Sequence, residues 1–205
     1  MTTHALPGTR PALVLIDLQR GIAAMPLVHP IADVLAASAR LAEAFRAAGA
    51  PVVRVRVAFS PDGGDALTAP VDAPPPAVAL RADFATLCEE IGDGPTDLHL
   101  TKRGWDAFHG TELDLQLRRR GVDTLVYAGI STSIGIESTA RHGRELGYAQ
   151  VFARDAMSDL VAVAHDRALS VIFPRIGHVA TTDEIVGGKT AGSDRTAPEA
   201  ATSAR

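Results

Sequence analysis

The chain predicts an α/β fold built on a largely parallel sheet, and three features of its 205 residues point there. Short apolar runs rich in branched residues recur along the chain, the pattern of strands covered on both faces. Between them lie Ala-, Leu- and Arg-rich stretches of helical period that end at glycines. Several of the apolar runs pass at their carboxyl ends into an acid, a lysine or a Ser/Thr cluster, where open parallel sheets place ligands.

The elements follow in order. The segment 12-ALVLIDL-18 is a buried parallel strand ending in an acid, and 31-IADVLAASARLAEAFRAAG-49 is a helix with Val34, Leu35, Leu41 and Phe45 on one face and Gly49 as its stop. A second strand reads 52-VVRVRVAF-59, followed by a Pro-, Gly- and Asp-rich surface loop over 60–80. A short helix is expected over 83-DFATLCEEIG-92, then a strand at 97-DLHLTK-102, a helix at 112-ELDLQLRRRG-121 and a strand at 123-DTLVYAG-129. Ser/Thr residues open the next helix, 132–147, which stops at Gly147. Then come a strand over 149–156, a helix near 159–173 and a last short strand at 176–182. Residues 1–186 form a single domain on this reading, and the polar, small-residue tail 187–205 is expected to be disordered.

Composition narrows the function. With 46% hydrophobic residues and a positive mean hydropathy the chain reads as a folded globule. A net charge of −4 with scattered signs gives no electrostatic footprint for nucleic acid, and 118-RRR-120 answers the dipole at a helix end. No apolar run reaches the roughly 20 residues of a membrane span, and 1-MTTHALPGTR-10 has no apolar signal core, so a cytoplasmic protein is expected. Cys88 is the only cysteine, which rules out intramolecular disulfides and cysteine-rich zinc sites, and the seven histidines show no ligand spacing, so neither metal nor cofactor is expected.

Three places at strand ends carry the candidate chemistry. Asp17 sits at the mouth of a buried strand, where desolvation raises a carboxyl pKa and suits it to general acid or base work; the alternative is an acid capping a turn. Lys102 ends another strand and can hold a nearby acid's charge state, unless it simply faces solvent. Ser131, Thr132 and Ser133 open a helix whose first amides suit a carboxylate or oxyanion. Gly135 lies in that first turn, where glycine costs about 1 kcal/mol relative to alanine, offset by close approach of a ligand or by tight packing.

Together 12-ALVLIDLQRG-21, 101-TKRGWDAFHGTELD-114, 129-GISTSIGIESTARHGRELGY-148 and 155-DAMSD-159 resemble the isochorismatase-like (cysteine) hydrolase superfamily, over most of the chain. The resemblance implies a three-layer α/β/α sandwich around a six-stranded, mainly parallel sheet. It implies an Asp, Lys and Cys triad mapping onto Asp17, Lys102 and Gly135, a cis peptide at Ile130–Ser131, and a structural or supporting role for Gln19. A homo-oligomer, dimer or tetramer, is implied as well. Glycine cannot form the covalent thioester of the amidase members. Cys88 is no substitute, being assigned to the apolar face of its helix. The metal-dependent nicotinamidases carry an Asp/His/His cluster after strand two, and 57-VAFSPDGGD-65 has no histidine. The isochorismatases proper do use glycine at this position and cleave a vinyl ether, releasing pyruvate. They show Tyr-Ala-His where this chain has 131-STS-133, and of their glutamine and arginine after strand two only Arg81 has a counterpart here.

Three readings follow for a small-molecule substrate. The first is hydrolysis without a covalent intermediate, by Asp17, Lys102 and a water, on a vinyl ether of the isochorismate type. The second is an amide or ester hydrolase whose nucleophile is water or a hydroxyl such as Ser131 or Ser133. The third is a member that has retired from catalysis and binds a ligand. Trp105, Phe108, Ile130, Ser131, Ser133 and Ile134 are the expected substrate contacts, and Asp106 is a second acid that faces the pocket on this reading.

Overall fold

Side chains alternate across every strand, and that alternation splits the core into two halves with the sheet between them. The computed structural model describes residues 6–73 and 81–189. Its strands are β1 (Pro11–Ile16), β2 (Val52–Val57), β3 (Leu98–Lys102), β4 (Thr124–Ile130), β5 (Ala149–Ser158) and β6 (His178–Ala180). They form one sheet in the order β3-β2-β1-β4-β5-β6, with every neighbouring pair parallel. The helices are α1 (Arg20–Ala23), α2 (Ile31–Ala47), α3 (Leu113–Arg119), α4 (Glu137–Glu145), α5 (Ala162–Arg167), α6 (Phe173–Ile176) and α7 (Thr182–Lys189).

Ala12, Val14 and Ile16 of β1 point into one half of the core with Leu125 and Tyr127 of β4, where Leu113 and Leu117 of α3, Ala140 of α4 and Phe173 of α6 meet them. Leu13 and Leu15, with Val126 and Ala128, point to the other face against Leu35, Leu41 and Phe45 of α2 and Ile185 of α7. This is the three-layer, six-stranded α/β architecture expected from the sequence.

Several boundaries differ. The helix expected over 83–92 is absent: Leu87 forms a single antiparallel bridge with Gln19, and only Glu89–Ile91 makes a short 3-10 turn. The Gln19 side chain donates to both Val57 O and Phe84 O and accepts from the Val57 N–H, which pins this segment across the end of β2. The helix after β4 opens with a π turn over Thr132–Ile136 before α4 begins. The one near 159–173 runs without a break over 162–176 as α5, a π turn at Ala168–Ile172 and α6, the π turn standing just ahead of Pro174, whose missing N–H interrupts the regular ladder. Helix α7 was not expected and runs into the segment assigned to the tail. Its signal was the capping box 181-TTDE-184, in which the Thr181 N–H donates to Glu184 Oε2 at 2.7 Å and the Glu184 N–H to Thr181 Oγ1 at 3.2 Å. Residues 190–205 of the expected tail and 74–80 of the Pro-rich loop lie outside the described residues.

Candidate active site

From β1 the sheet continues in one direction through β2 and β3, and in the other through β4, β5 and β6, so the topological switch lies between β1 and β4. The two strands approach closely there because Gly129 has φ 128° and no side chain: a Cβ would stand 2.0 Å from Ile16 O. Asp17 follows immediately at φ 51°, a left-handed conformation that aspartate tolerates better than most residues, and its N–H still donates to Val55 O at 2.9 Å. The turn ends the strand and aims the carboxylate into the crevice.

Lys102 reaches this carboxylate from the end of β3, across β2. Its Nζ stands 2.7 Å from Asp17 Oδ2 and donates also to Gly104 O at 3.0 Å and Trp105 O at 2.9 Å, so all three ammonium donors have acceptors. The Asp17 and Lys102 side chains are 8% and 2% exposed, which makes this a buried ion pair. Asp17 Oδ1 is buried with no hydrogen-bond partner in the protein. Burial pushes the Asp17 carboxyl up from 3.8 to about 6, and the Lys102 charge and hydrogen bond pull against that rise without cancelling it.

The third strand end completes the site. The Ile130–Ser131 peptide is cis, and the π turn that follows brings Gly135 over the ion pair. A Cβ on Gly135 would lie 3.2 Å from Asp17 Oδ2, 3.6 Å from Lys102 Nζ and 3.1 Å from Ile16 Cγ2. A side chain at position 135 would therefore project directly at the acid and the lysine.

Ser158, Asp159 and His165, to which the sequence reading gave no role, hold this turn in place. Asp159, 1% exposed just beyond β5, accepts the Ser133 N–H on Oδ2 at 2.7 Å and the Leu160 and Val161 N–H groups on Oδ1. The Thr132 hydroxyl donates to Ser158 O at 3.0 Å, and His165 Nδ1 lies 2.9 Å from the Thr132 hydroxyl oxygen. The available signal was 155-DAMSD-159, an acid ahead of an apolar helical run, which is the pattern of an N-terminal cap.

The remaining candidates fall in different places. Ser131, Ser133 and Ile134 are partly exposed on the turn, and Ile130 is buried in the α2 half of the core. Trp105 is 59% exposed, and its backbone carbonyl is what Lys102 binds. Phe108 points elsewhere: its ring lies in the core, stacked on Tyr148 with centroids 5.9 Å apart. Asp106 is not free to act as a second acid, because its Oδ2 pairs with His142 Nδ1 at 2.6 Å and its Oδ1 accepts the Phe108 N–H. Arg81 pairs with Asp83 at the surface. Cys88 is buried next to the 3-10 turn rather than on a helix, and burial raises its thiol pKa, which disfavours the reactive thiolate. Among the described residues no three His, Cys, Asp or Glu side chains converge on a point that would hold a metal ion, and no helix is long and apolar enough to cross a membrane.

Comparison with known proteins fits this geometry. Residues 11–184 match the isochorismatase domain. The chain is 47% identical over 178 residues to the isochorismatase family protein YecD of Escherichia coli O157:H7, covering 85% of this chain and 94% of the relative. It is 31% identical over 186 residues to the maleamate amidohydrolase of Pseudomonas putida, covering 86% of this chain and 85% of that enzyme. The solved structure of an isochorismatase family protein from Burkholderia thailandensis superposes with a TM-score of 0.83 at 44% identity, over 87% of this chain and 94% of that one. A parallel sheet switching direction between β1 and β4, an Asp–Lys ion pair beside the switch and a close match over almost the whole domain lead to one conclusion: the chain belongs to the isochorismatase family of hydrolases.

Proposed function

We propose that the protein hydrolyses a small molecule without a covalent cysteine intermediate, using Asp17 as general acid and base, Lys102 as its charge partner and a water as nucleophile. The observation that carries this reading is the position of Gly135: where a family thiol would project, 3.2 Å from Asp17 Oδ2 and 3.6 Å from Lys102 Nζ, there is no side chain. The triad keeps its acid and its lysine and lacks only the thiolate, so the nucleophile falls to water. A carboxyl pushed up to about 6 holds both protonation states near neutrality, as a group that gives and then recovers a proton must.

On a vinyl ether of the isochorismate type, Asp17 transfers its proton to the enol ether carbon and leaves an oxocarbenium-like centre. Water adds to that centre and loses a proton to Asp17, and the resulting hemiketal collapses to pyruvate and an alcohol. Lys102 offsets the carboxylate charge while the proton is away. Amide hydrolysis is the second reading, favoured by the similarity to the maleamate amidohydrolase. There the ionised Asp17 takes a proton from water as it attacks the carbonyl and gives it to the nitrogen as the tetrahedral intermediate collapses, breaking the C–N bond and releasing ammonia.

The experiment is pyruvate release from isochorismate, coupled to lactate dehydrogenase, with Asp17→Asn as control, run beside ammonia release from maleamate. Turnover of either compound that vanishes in Asp17→Asn, with no adduct on the intact protein by mass spectrometry, is the expected result. An acyl group trapped on Ser131 or Ser133 would replace water with a serine nucleophile. We also expect a homo-oligomer, since Trp105, Val161 and Val163 expose apolar surface near the site loops, and light scattering in solution reports its size.

A further inference from the structure

The turn that carries Gly135 is tied to the end of β5 and to α5 by contacts that the proposed reaction does not use. The Thr132 hydroxyl has one proton. It is donated to Ser158 O at 3.0 Å, a carbonyl that only accepts. His165 Nδ1 lies 2.9 Å from the same hydroxyl oxygen, so the proton between them has to come from the imidazole. That assigns the ring tautomer: Nδ1 carries hydrogen and the neutral ring leaves Nε2 bare. His165 is 3% exposed, and its ring lies tilted against that of His29 with centroids 4.7 Å apart. The His29 N–H is itself bound by Ser158 Oγ at 3.1 Å, so Ser158 serves both sides of the arrangement.

We propose that His165 is a positioning residue, which acts as a neutral Nδ1–H donor to Thr132 and thereby sets the turn that carries Gly135 over Asp17 and Lys102. The assignment rests on the hydrolase site described above. A second proton would have to enter on Nε2, in a buried position beside another imidazole. The ionisable groups around the ring are His29 from the segment before α2, Asp159 from the end of β5 and Asp166 on α5. Burial and His29 outweigh the two acids and hold His165 below its usual 6.5. Nδ1 keeps its hydrogen whether the ring is neutral or charged, so the bond to Thr132 survives in acid, and what a second proton adds is a charge on Nε2 beside the turn.

Nitrogen-15 NMR on the whole chain tests this without any substrate, so it stands apart from whether hydrolysis is found. Long-range proton–nitrogen spectra at pH 7.5 are expected to show the His165 ring protonated on Nδ1. On acidification the amide resonances of Ser133, Ile134 and Gly135 should shift with the His165 midpoint. They should do so in Asp17→Asn as well, which removes the raised carboxyl as the source of the shift. His165→Asn keeps a donor where Nδ1 stood and should preserve amide protection in the turn, whereas His165→Leu should speed exchange there about fivefold, the loss of one hydrogen bond. An Nε2-protonated ring, or turn amides that ignore the His165 titration, would overturn the proposal, and both are read on the wild-type protein.

Discussion

Two acid–base pairs of nearly equal length sit within one small domain, and only one of them has the makings of a reactive site. Asp17–Lys102 spans 2.7 Å and Asp106–His142 spans 2.6 Å. Asp17 and Lys102 are 8% and 2% exposed, Asp106 and His142 19% and 40%. Both oxygens of Asp106 are spent, one on His142 and one on the Phe108 N–H. Asp17 keeps Oδ1 without a partner, and beside its other oxygen lies the bare backbone of Gly135. Contact between an acid and a base is therefore a poor mark of function. Burial and an unspent lone pair together separate the site from the brace.

Activity should separate the pairs most sharply. Asp17→Asn keeps the shape of the side chain but removes its exchangeable proton, so turnover in the isochorismate or maleamate assay is expected to fall by about a hundredfold or more, the usual share of a general acid or base. Asp106→Asn should stay within about threefold, since surface pairs contribute at most about 1 kcal/mol and this one lies outside the reaction. Equal losses in the two variants would end the distinction.

Stability should separate them next. Lys102→Met leaves Asp17 as an uncompensated buried charge, and breaking such a pair costs about 3–5 kcal/mol. His142→Ala removes a partly exposed partner whose loss is worth no more than about 1 kcal/mol. Guanidinium unfolding measures both. A Lys102→Met protein as stable as wild type would mean that water already reaches Asp17.

The sequence makes one of these pairs legible and hides the other for a physical reason. Asp17 and Lys102 each terminate an apolar run, and in a parallel sheet every carboxyl end lies at the same edge, so two such residues are brought together by topology alone. Their apposition across β2 follows from the strand order, which periodicity does not contain but the family resemblance supplied. Asp106 and Phe108 lie in the loop after β3, where no period tells which way a side chain points, and both turned away from the site. Asp159 and His165 stayed hidden because their role is a hydrogen bond to a turn 26 and 33 residues earlier, and sequence distance carries no geometry. The expected helix over 83–92 failed for a related reason: its composition suits a helix, but Gln19, far away in the chain, claims the Phe84 carbonyl.

Two glycines in the stretch after β4 extend the comparison to smaller effects. A Cβ on Gly143 would stand 2.7 Å from Tyr127 Oη and 2.9 Å from Gln150 Oε1, both buried and lacking hydrogen-bond partners. Gly143→Ala is therefore overpacked in the core and should lose about 1–3 kcal/mol with its activity intact once folded. Gly135→Ala meets its nearest atoms at 3.1 and 3.2 Å, and a gain of about 1 kcal/mol in helix propensity works against that crowding. Its stability should barely change while turnover falls, because the methyl group presses on the Asp17 carboxylate and shifts it beside Lys102. Thermal melts with the activity assay check both, and a fully active Gly135→Ala would mean that the carboxylate works equally well with that contact.

The smallest effect is a slope against pH, and its sign is opposite to that of Asp62 and Asp65. Hydrogen bonds from Ser60 hold Asp62 and Asp65 below 3.8, so what they contribute to stability is present above 3.8 and is lost as acid protonates them in the folded state. Asp17 is raised instead, to about 6, so the folded protein binds its proton more tightly than the unfolded chain does. Its contribution is fully present below 3.8 and is lost as pH rises through about 6. Subtracting the unfolding free energy of Asp17→Asn from that of wild type at each pH removes every group common to the two, His165 among them. The remaining difference should favour wild type progressively as pH falls from about 6 to about 4. A flat difference would mean that Lys102 already offsets the cost of burying the carboxylate, and with it the reason to treat Asp17 as an acid poised to give up its proton near neutrality.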